Sequence, residues 1–519
     1  MKLVDPSFLA SLLREFRRSM RRFIPELCDE LEQRYAPATR RLMVPVDLIR
    51  LIGQAMPLET YSQWRFVGWI ESLNDLVYFV DLAEQAKRAR HDPEFLDQLY
   101  AECQRSWYEH GYADELFPDG VVYDGRLPDR LHDLCRRLAR EVTQQAFLWD
   151  PALTCKWVLT TSRRSWQTVC GLAPNFDHAD PPYALSVGVD EVLYHAPRSV
   201  RRRLQSATAD PLLIVTARGI FVSCEGVRYP LYTAAPARQW HWRRQDPVIL
   251  RKSGFGTLTL GSTLVYGRAG GPTRVSPTVP AIADRIGRAL SVIEQAWPAG
   301  SECLALLTSR IVPLKAPGVV SFSYRHQPGL SFINCFDRND LDLIDDLIHE
   351  NSHHHLNLLL RKDVLYHGDC NREIFYSPWR RTLRPIRGIL HASFTFAMGA
   401  FLFERLSAWA SGPEGRRRWQ AAGLSKGDLE RARFRGLEEI ESVRYALRDL
   451  REAQRRFGWI TEAGGRLVQL LSSALSRTRR RMGTPTHVLR PSYRARFIRH
   501  VNHLKAARRR YRLGVRRSR

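Results

Sequence analysis

His349 and His353 stand four residues apart, with Glu350 directly after the first, in the stretch NDLDLIDDLIHENSHHHLNLLLR at residues 339–361. On a helix, positions four apart share a face, with Cβ atoms roughly 5–6 Å from each other. Two imidazoles so placed can hold one metal ion at roughly 2.0–2.1 Å. Glu350 then lies on the flank, where it can meet a metal-bound water or a ligand's proton without binding the metal. HExxH alone is a short pattern, and a helix with surface histidines also satisfies it. Two features favour a metal. The helix is otherwise apolar, through Leu343, Ile344, Leu347 and Ile348. A third histidine, His391, sits among Ile389, Leu390, Phe394, Ala397, Phe401 and Leu406 in a second apolar helix expected over 386–409. A histidine alone on such a face is usually a hydrogen-bonded core residue; opposite a histidine pair it is a candidate third ligand. His354 and His355 prolong the run, but only His349 and His353 combine the four-residue step with the intervening glutamate.

Between the two helices the chain reads Phe375-Tyr376-Ser377-Pro378-Trp379-Arg380-Arg381-Thr382-Leu383-Arg384-Pro385. Arg380, Arg381 and Arg384 crowd one turn near the candidate metal. The planar guanidinium fork pairs with carboxylates through two hydrogen bonds. The cluster is therefore a candidate clamp for a dicarboxylate co-substrate or an acidic peptide; its bland alternative is solvated arginines preceding a helix.

The runs LIHENSHHHLNLLL and SPWRRTLRPIRGILHASF resemble the HExxH-motif family of bacterial peptide-modifying proteins, α-ketoglutarate-dependent HExxH-type peptide β-hydroxylases. The family pattern is HExxH, a short aliphatic helix tail, a PWR-x-x-x-RP element and a G-x-L-H motif. The serine-bearing strands VVSFSY and GLSFINC are similar as well, so the resemblance spans about residues 300–410. It implies His349, His353 and His391 as Fe(II) ligands, Arg380 and Arg384 as holders of the α-ketoglutarate carboxylates, and Glu350 as a catalytic or supporting group. The implied activity is hydroxylation of a β-carbon in a ribosomally made precursor peptide.

Two other readings stay open. A zinc metallopeptidase would use Glu350 as general base toward zinc-bound water, with a downstream glutamate the more usual third ligand. A peptide-binding protein without catalysis is the other. The arginines favour the oxygenase, since a peptidase has no special need of a dicarboxylate clamp, and an iron site needs open positions for keto acid and O₂.

The elements that must position these residues follow from periodicity. Residues 1–150 read as helical, for example through Leu131, Leu134 and Leu138. Residues 151–276 are richer in Pro, Gly and short apolar runs, which predicts strands near 212–217, 220–222, 248–250 and 258–266. A helix at about 280–296 and strands at 319–324 and 330–334 around Pro328-Gly329 lead into the metal-motif helix. Charged amphipathic helices follow at 426–457 and 461–481. The expected architecture is α+β and helix-rich, with a small sheet packed against the HExxH helix. The expected segments are a helical region 1–150, a β-rich region 151–276, a catalytic core 277–410, a helical region 411–476 and a basic tail 477–519.

The 519 residues carry 79 basic and 54 acidic side chains, a formal +25, and 44% are apolar, which excludes wholesale disorder. Residues 477–519 hold 16 basic residues and no acid, leaving only +9 for the rest. That tail can contact nucleic acid through counterion release, an acidic membrane surface or an acidic peptide; its apolar residues, among them Phe497, Val501 and Leu504, predict a helix packed on the body. Peptide attraction or a solvated face is preferred to nucleic acid. Nine widely spaced cysteines without a CxxC argue against a disulfide framework and fit a reducing cytoplasm. No secretory signal is evident, and no unbroken apolar run reaches the roughly 18 residues that span a bilayer. Three further clusters read as structural: Asn175-Phe176-Asp177-His178-Ala179-Asp180 as an Asx-turn loop, Trp240-His241-Trp242-Arg243-Arg244 as a strand edge with alternating exposure, and His500 with His503 as solvated helix residues.

Overall fold

In the computed structural model the described residues are 3–88, 92–106, 112–122, 125–160, 183–186, 196–208, 211–234, 236, 238–242, 248–253, 256–261, 264–267, 270–274, 280–314, 320–325, 327–335, 338–367 and 372–511. The chain divides into two compact units, Arg17–Asp246 and Met1–Phe16 with Pro247–Arg519. The architecture is α+β and helix-rich, as the periodicities predict.

The first unit contains most of α1 (Pro6–Asp29), then α2 (Val46–Ala55), α3 (Trp64–Arg88), α4 (Pro93–Ser106), α5 (Leu127–Trp149), α6 (Pro151–Thr160), α7 (Arg198–Ser206) and the antiparallel sheet β1 (Tyr183–Ser186), β2 (Leu212–Thr216), β3 (Gly219–Cys224), β4 (Val227–Thr233) and β5 (Gln239–Trp240). Helices and sheet thus share one unit, although their compositions differ sharply on either side of residue 150. Trp240 is 42% exposed and Trp242 only 3%; positions two apart would share a face of a strand, and β5 ends at Trp240, so the alternating exposure expected of a strand edge is not found there. Arg243 and Arg244, like residues 175–180, lie outside the described residues.

The second unit holds a mixed five-stranded sheet of β6 (Val248–Ser253), β7 (Gly256–Leu260), β10 (Arg310–Leu314), β11 (Phe322–Ser323) and β12 (Leu330–Asn334), in the order β11-β12-β10-β7-β6. A separate hairpin, β8 (Leu264–Gly267) and β9 (Gly270–Arg274), lies between β7 and β10 in sequence. The central pairs β7–β10 and β10–β12 are parallel and the outer ones antiparallel. Helices α8 (Pro280–Ala296) and α9 (Pro298–Leu307) precede β10. The metal-motif helix α10 (Asp340–Lys362) follows β12, and the small hairpin β13 (Phe375–Tyr376) and β14 (Leu383–Arg384) leads into α11 (Ile386–Trp409). Four longer helices, α12 (Gly412–Ala421), α13 (Lys426–Phe457), α14 (Glu462–Met482) and α15 (Pro491–Arg510), and a single turn at Pro485–Val488 complete the described part of it.

Local chemistry sets these helices. The Asn339 side chain caps α10 by accepting from the Asp342 N–H at 2.8 Å, and Asp340 and Asp342 against Arg361 and Lys362 match the helix dipole. Ser425 and Asp428 form a reciprocal capping box on α13, which ends at Gly458 in the left-handed conformation. Helix α11 is apolar on nearly every side and packs against α8, α10, α13 and α14. It is long and apolar enough to cross a membrane, but 72% of its most apolar stretch is buried inside the protein, as in a core helix. Burial of Leu343, Ile344, Leu347 and Ile348, each at most 3% exposed, fixes the rotation of α10; each such side chain stabilises by roughly 1.5–3 kcal/mol.

Candidate metal centre

The sheet holds α10 through three serines. Strand alternation puts Ser321 and Ser323 on one face, and the register opposes Ser323 to Ser331 on β12. Ser321 Oγ donates to Asp346 at 2.6 Å, Ser323 Oγ donates to Glu350 at 2.8 Å, and Ser331 Oγ lies 3.1 Å from His354 Nε2. Asp346, Glu350 and His354 are successive i,i+4 positions, so one polar stripe of the helix is fastened rung by rung to the sheet. The Gly329 N–H donates to His354 Nδ1 at 3.3 Å, which leaves Nε2 as the protonated nitrogen facing Ser331. Gly329 sits at φ 86° in the Pro328-Gly329 turn, a conformation natural to glycine. His354 is therefore a satisfied core histidine. His355 is buried against the Phe394 ring, at a centroid distance of 5.0 Å.

That fastening turns His349 and His353 toward α11. Their ring centroids are 5.1 Å apart, and the His391 ring lies 6.1 Å from that of His353. The three histidines singled out in the sequence are thus neighbours contributed by two helices. The tightest group is His349, Glu350 and His353, whose ligand atoms lie within 4.8 Å of one another; His391 faces the pair from the second helix. Burial lowers the pKa of all three imidazoles, His353 well below its usual value and His391 to about 4. They are neutral at pH 7, the form that binds metal. Burial pushes Glu350 up to about 8, against the opposing hydrogen bond from Ser323. Three neutral imidazoles beside a buried carboxyl suit a divalent zinc or iron ion.

A wall of aromatic and charged groups backs His349. The Phe396 ring meets it edge-on at 4.9 Å, and Trp379 stacks on Phe396 at 4.5 Å with planes 9° apart. Trp379 Nε1 donates to Glu439 at 2.7 Å. Arg435 on α13 pairs with Asp345 at 2.9 Å, with Glu439 at 3.6 Å and with Asp342 at 3.7 Å, while Arg431 also pairs with Asp342. Gly399 on α11 makes room for this network, since a Cβ there would meet Asp345 Oδ1 at 3.3 Å. Asp345 is one turn before His349, so the network steadies the ligand helix.

The three arginines have different surroundings. Arg380 is exposed, makes no ion pair among the described residues and is near enough to His349 to depress its pKa. Arg381 occupies the left-handed region at φ 56° and acts instead on Tyr376, Glu438 and His500. Arg384 is exposed and runs over the first turn of α11, its Nε 3.7 Å from where a Gly388 Cβ would stand.

Sequence reasoning took Asp346 only as negative charge early in the helix and the serines only as part of the resemblance; it missed that they meet, although two period patterns announce it: S-x-S on a strand and D-xxx-E-xxx-H on a helix. It read His500 and His503 as solvated helix residues; His503 is indeed exposed on its helix and His500 is half-buried, but both rings have hydrogen-bond partners that the reading missed. His500 Nε2 lies 3.0 Å from Ser442 Oγ, and His503 Nε2 lies 2.5 Å from the Tyr376 hydroxyl. Both partners come from distant elements, so no local spacing signals them. Comparison of the chain with models of known protein families and with curated proteins gives no match.

Proposed function

We propose that the chain is an Fe(II)- and α-ketoglutarate-dependent oxygenase that hydroxylates the β-carbon of a residue in a peptide. The observation that carries this reading is the meeting of three neutral histidines from α10 and α11, with Arg380, whose guanidinium makes no ion pair among the described residues, within electrostatic reach of His349. A hydrolytic zinc site would be expected to take a carboxylate from the second helix. On α11 the acidic residue is Glu404, 13 positions beyond His391 and roughly 20 Å along the axis. It pairs with Arg405 and Arg481 instead.

Iron would be held by His349, His353 and His391, and when bound it supplies O₂ activation coupled to oxidative decarboxylation of the keto acid. The protein's own groups supply the rest. The imidazoles have no proton to lose at pH 7. Arg380 offers a bidentate fork to a carboxylate, with Arg384 at the other end of the same turn. Glu350, steadied by Ser323, holds a proton at pH 7 before the ion is loaded; giving it up on loading would leave a carboxylate at the edge of the site that can accept one. Phe396 and Trp379 exclude water on the His349 side. The basic surface favours an acidic peptide.

The test is aerobic incubation with Fe(II), α-ketoglutarate and a pool of acidic peptides. Succinate formation and a +16 peptide are expected. A zinc peptidase is the second reading, favoured by Glu350 lying against the histidine pair; zinc-dependent cleavage without keto-acid turnover would establish it. Absence of stoichiometric metal after loading would leave a peptide-binding protein.

A further inference from the structure

The hairpin β13–β14 carries the arginines, yet each strand has only two residues and two-stranded ribbons are marginal by themselves. Two different bodies hold it. Phe375 is fully buried in the main core, its ring 6.1 Å from Trp459. Tyr376 and Leu383, opposite each other in the register, belong instead to a small separate cluster with Tyr445, Leu504, Ala507 and Tyr511. Half of that cluster comes from the C-terminal helix α15 and the residue after it.

The contacts are specific. The Tyr376 hydroxyl and His503 Nε2 are 2.5 Å apart, and the Tyr376 and Tyr511 rings stack at 5.1 Å with planes 10° apart. Arg508 anchors α15 beside them: it pairs with the buried Asp449, donates to the Tyr445 carbonyl at 2.7 Å and lies 3.6 Å above the Tyr445 ring. Between Tyr376 and Leu383 the turn is strained at Arg381, φ 56°, and closed by two backbone hydrogen bonds, Arg381 N–H to the Ser377 carbonyl at 2.8 Å and Ser377 N–H to the Thr382 carbonyl at 2.9 Å. A non-glycine residue keeps that conformation only where its surroundings over-determine it.

We propose that α15 is a positioning element for the anion-binding turn: through His503 and Tyr511 it holds Tyr376, and Tyr376 holds residues 377–384 in the arrangement that presents Arg380 beside His349. The role of the turn as a seat for the co-substrate's carboxylates rests on the function proposed above; the clamp itself does not. The most basic segment of the chain thus acts through one tyrosine, and His503 and Tyr376 are positioning residues that touch neither metal nor co-substrate.

The experiment compares full-length wild type, Tyr376→Phe, His503→Leu and His503→Gln. Anaerobic Fe(II)-loaded protein is titrated calorimetrically with α-ketoglutarate, Fe(II) content is measured, and hydrogen exchange is followed in a peptide covering residues 377–384. His503→Leu and Tyr376→Phe should weaken α-ketoglutarate about threefold to tenfold, the range for one lost hydrogen bond, and speed exchange in the turn. Fe(II) content should not change, and His503→Gln, whose amide offers the Tyr376 hydroxyl both a donor and an acceptor, should recover most of the loss. Unchanged affinity and exchange in His503→Leu overturn the proposal. So does parallel loss of Fe(II), which would make α15 a general part of the fold. If wild type binds no α-ketoglutarate, the oxygenase reading fails, and the exchange rates alone decide whether α15 holds the turn.

Discussion

Arg435→Met isolates what the charged wall behind His349 contributes. Arg435 is the shared cation of Asp342, Asp345 and Glu439, and its guanidinium lies 5.2 Å from the centre of the Phe403 ring. Removing it leaves the three carboxylates unequal. Asp342 keeps Arg431 and Glu439 keeps the Trp379 indole, but Asp345, whose side chain is 13% exposed, has no other ion pair among the described residues. Methionine refills much of the volume, so the cost is mainly one stranded, largely buried charge. Losing one partner of a buried pair costs roughly 3–5 kcal/mol; the residual exposure argues for the low end, about 3 kcal/mol. A tenfold change corresponds to about 1.4 kcal/mol, so amides of α10 that exchange through opening of this unit should exchange about a hundredfold faster. Hydrogen exchange resolved by peptide suits this chain better than a melting curve, because two compact units need not unfold together. The double variant Arg435→Met/Asp345→Asn should recover most of the loss, since it removes the stranded charge as well. An effect below about threefold in the single variant, or a double variant no better than the single, would refute the reasoning.

His391→Ala should lower bound Fe(II) or Zn(II) from about one equivalent to well under half, measured by metal analysis after dialysis; unchanged content removes His391 from the ligand set. Glu350 sits near pKa 8 while the histidines are already neutral. Metal loading at pH 7 should therefore release close to one proton, and affinity should rise with pH between 6 and 8; calorimetry in buffers of different ionisation enthalpy should find this release absent in Glu350→Gln. Burial raises Glu439 to about 8, above its ordinary value of 4.5. Its contribution to stability is fully present below pH 4.5 and is lost as pH rises through 8, so Glu439→Gln, which still accepts from Trp379, should flatten urea-measured stability across that window. Ser323→Ala removes the hydrogen bond that holds Glu350 down, so the glutamate should titrate higher still, visible as an upward shift of the proton-release midpoint.

The helix carrying the motif was readable from its cap, its acidic start and its apolar period, and the strands at 330–334 and around the Pro-Gly turn from theirs. His391 was readable because a polar ring in a strongly apolar helix needs a reason to be there. What escaped were the relations between elements. Period 3.6 gives the stripe to which Asp346, Glu350 and His354 belong, but only the strand register shows that serines meet it. The three arginines look equivalent as a sequence cluster, whereas the left-handed kink at Arg381 sends it toward Glu438 and His500. The packed helix expected in the basic C-terminal segment is present, with Phe497, Leu504 and Ala507 buried; what composition did not show is that it meets Tyr376.

Helix α11 has a consequence for making the protein. It gives the metal site one histidine and is enclosed by four other helices, two of which are synthesised after it. Until α13 and α14 emerge from the ribosome, the nascent chain displays a 24-residue segment with the hydropathy of a bilayer anchor. Slow translation or truncation beyond residue 409 should therefore yield a chaperone-bound or insoluble fragment rather than a smaller metalloprotein.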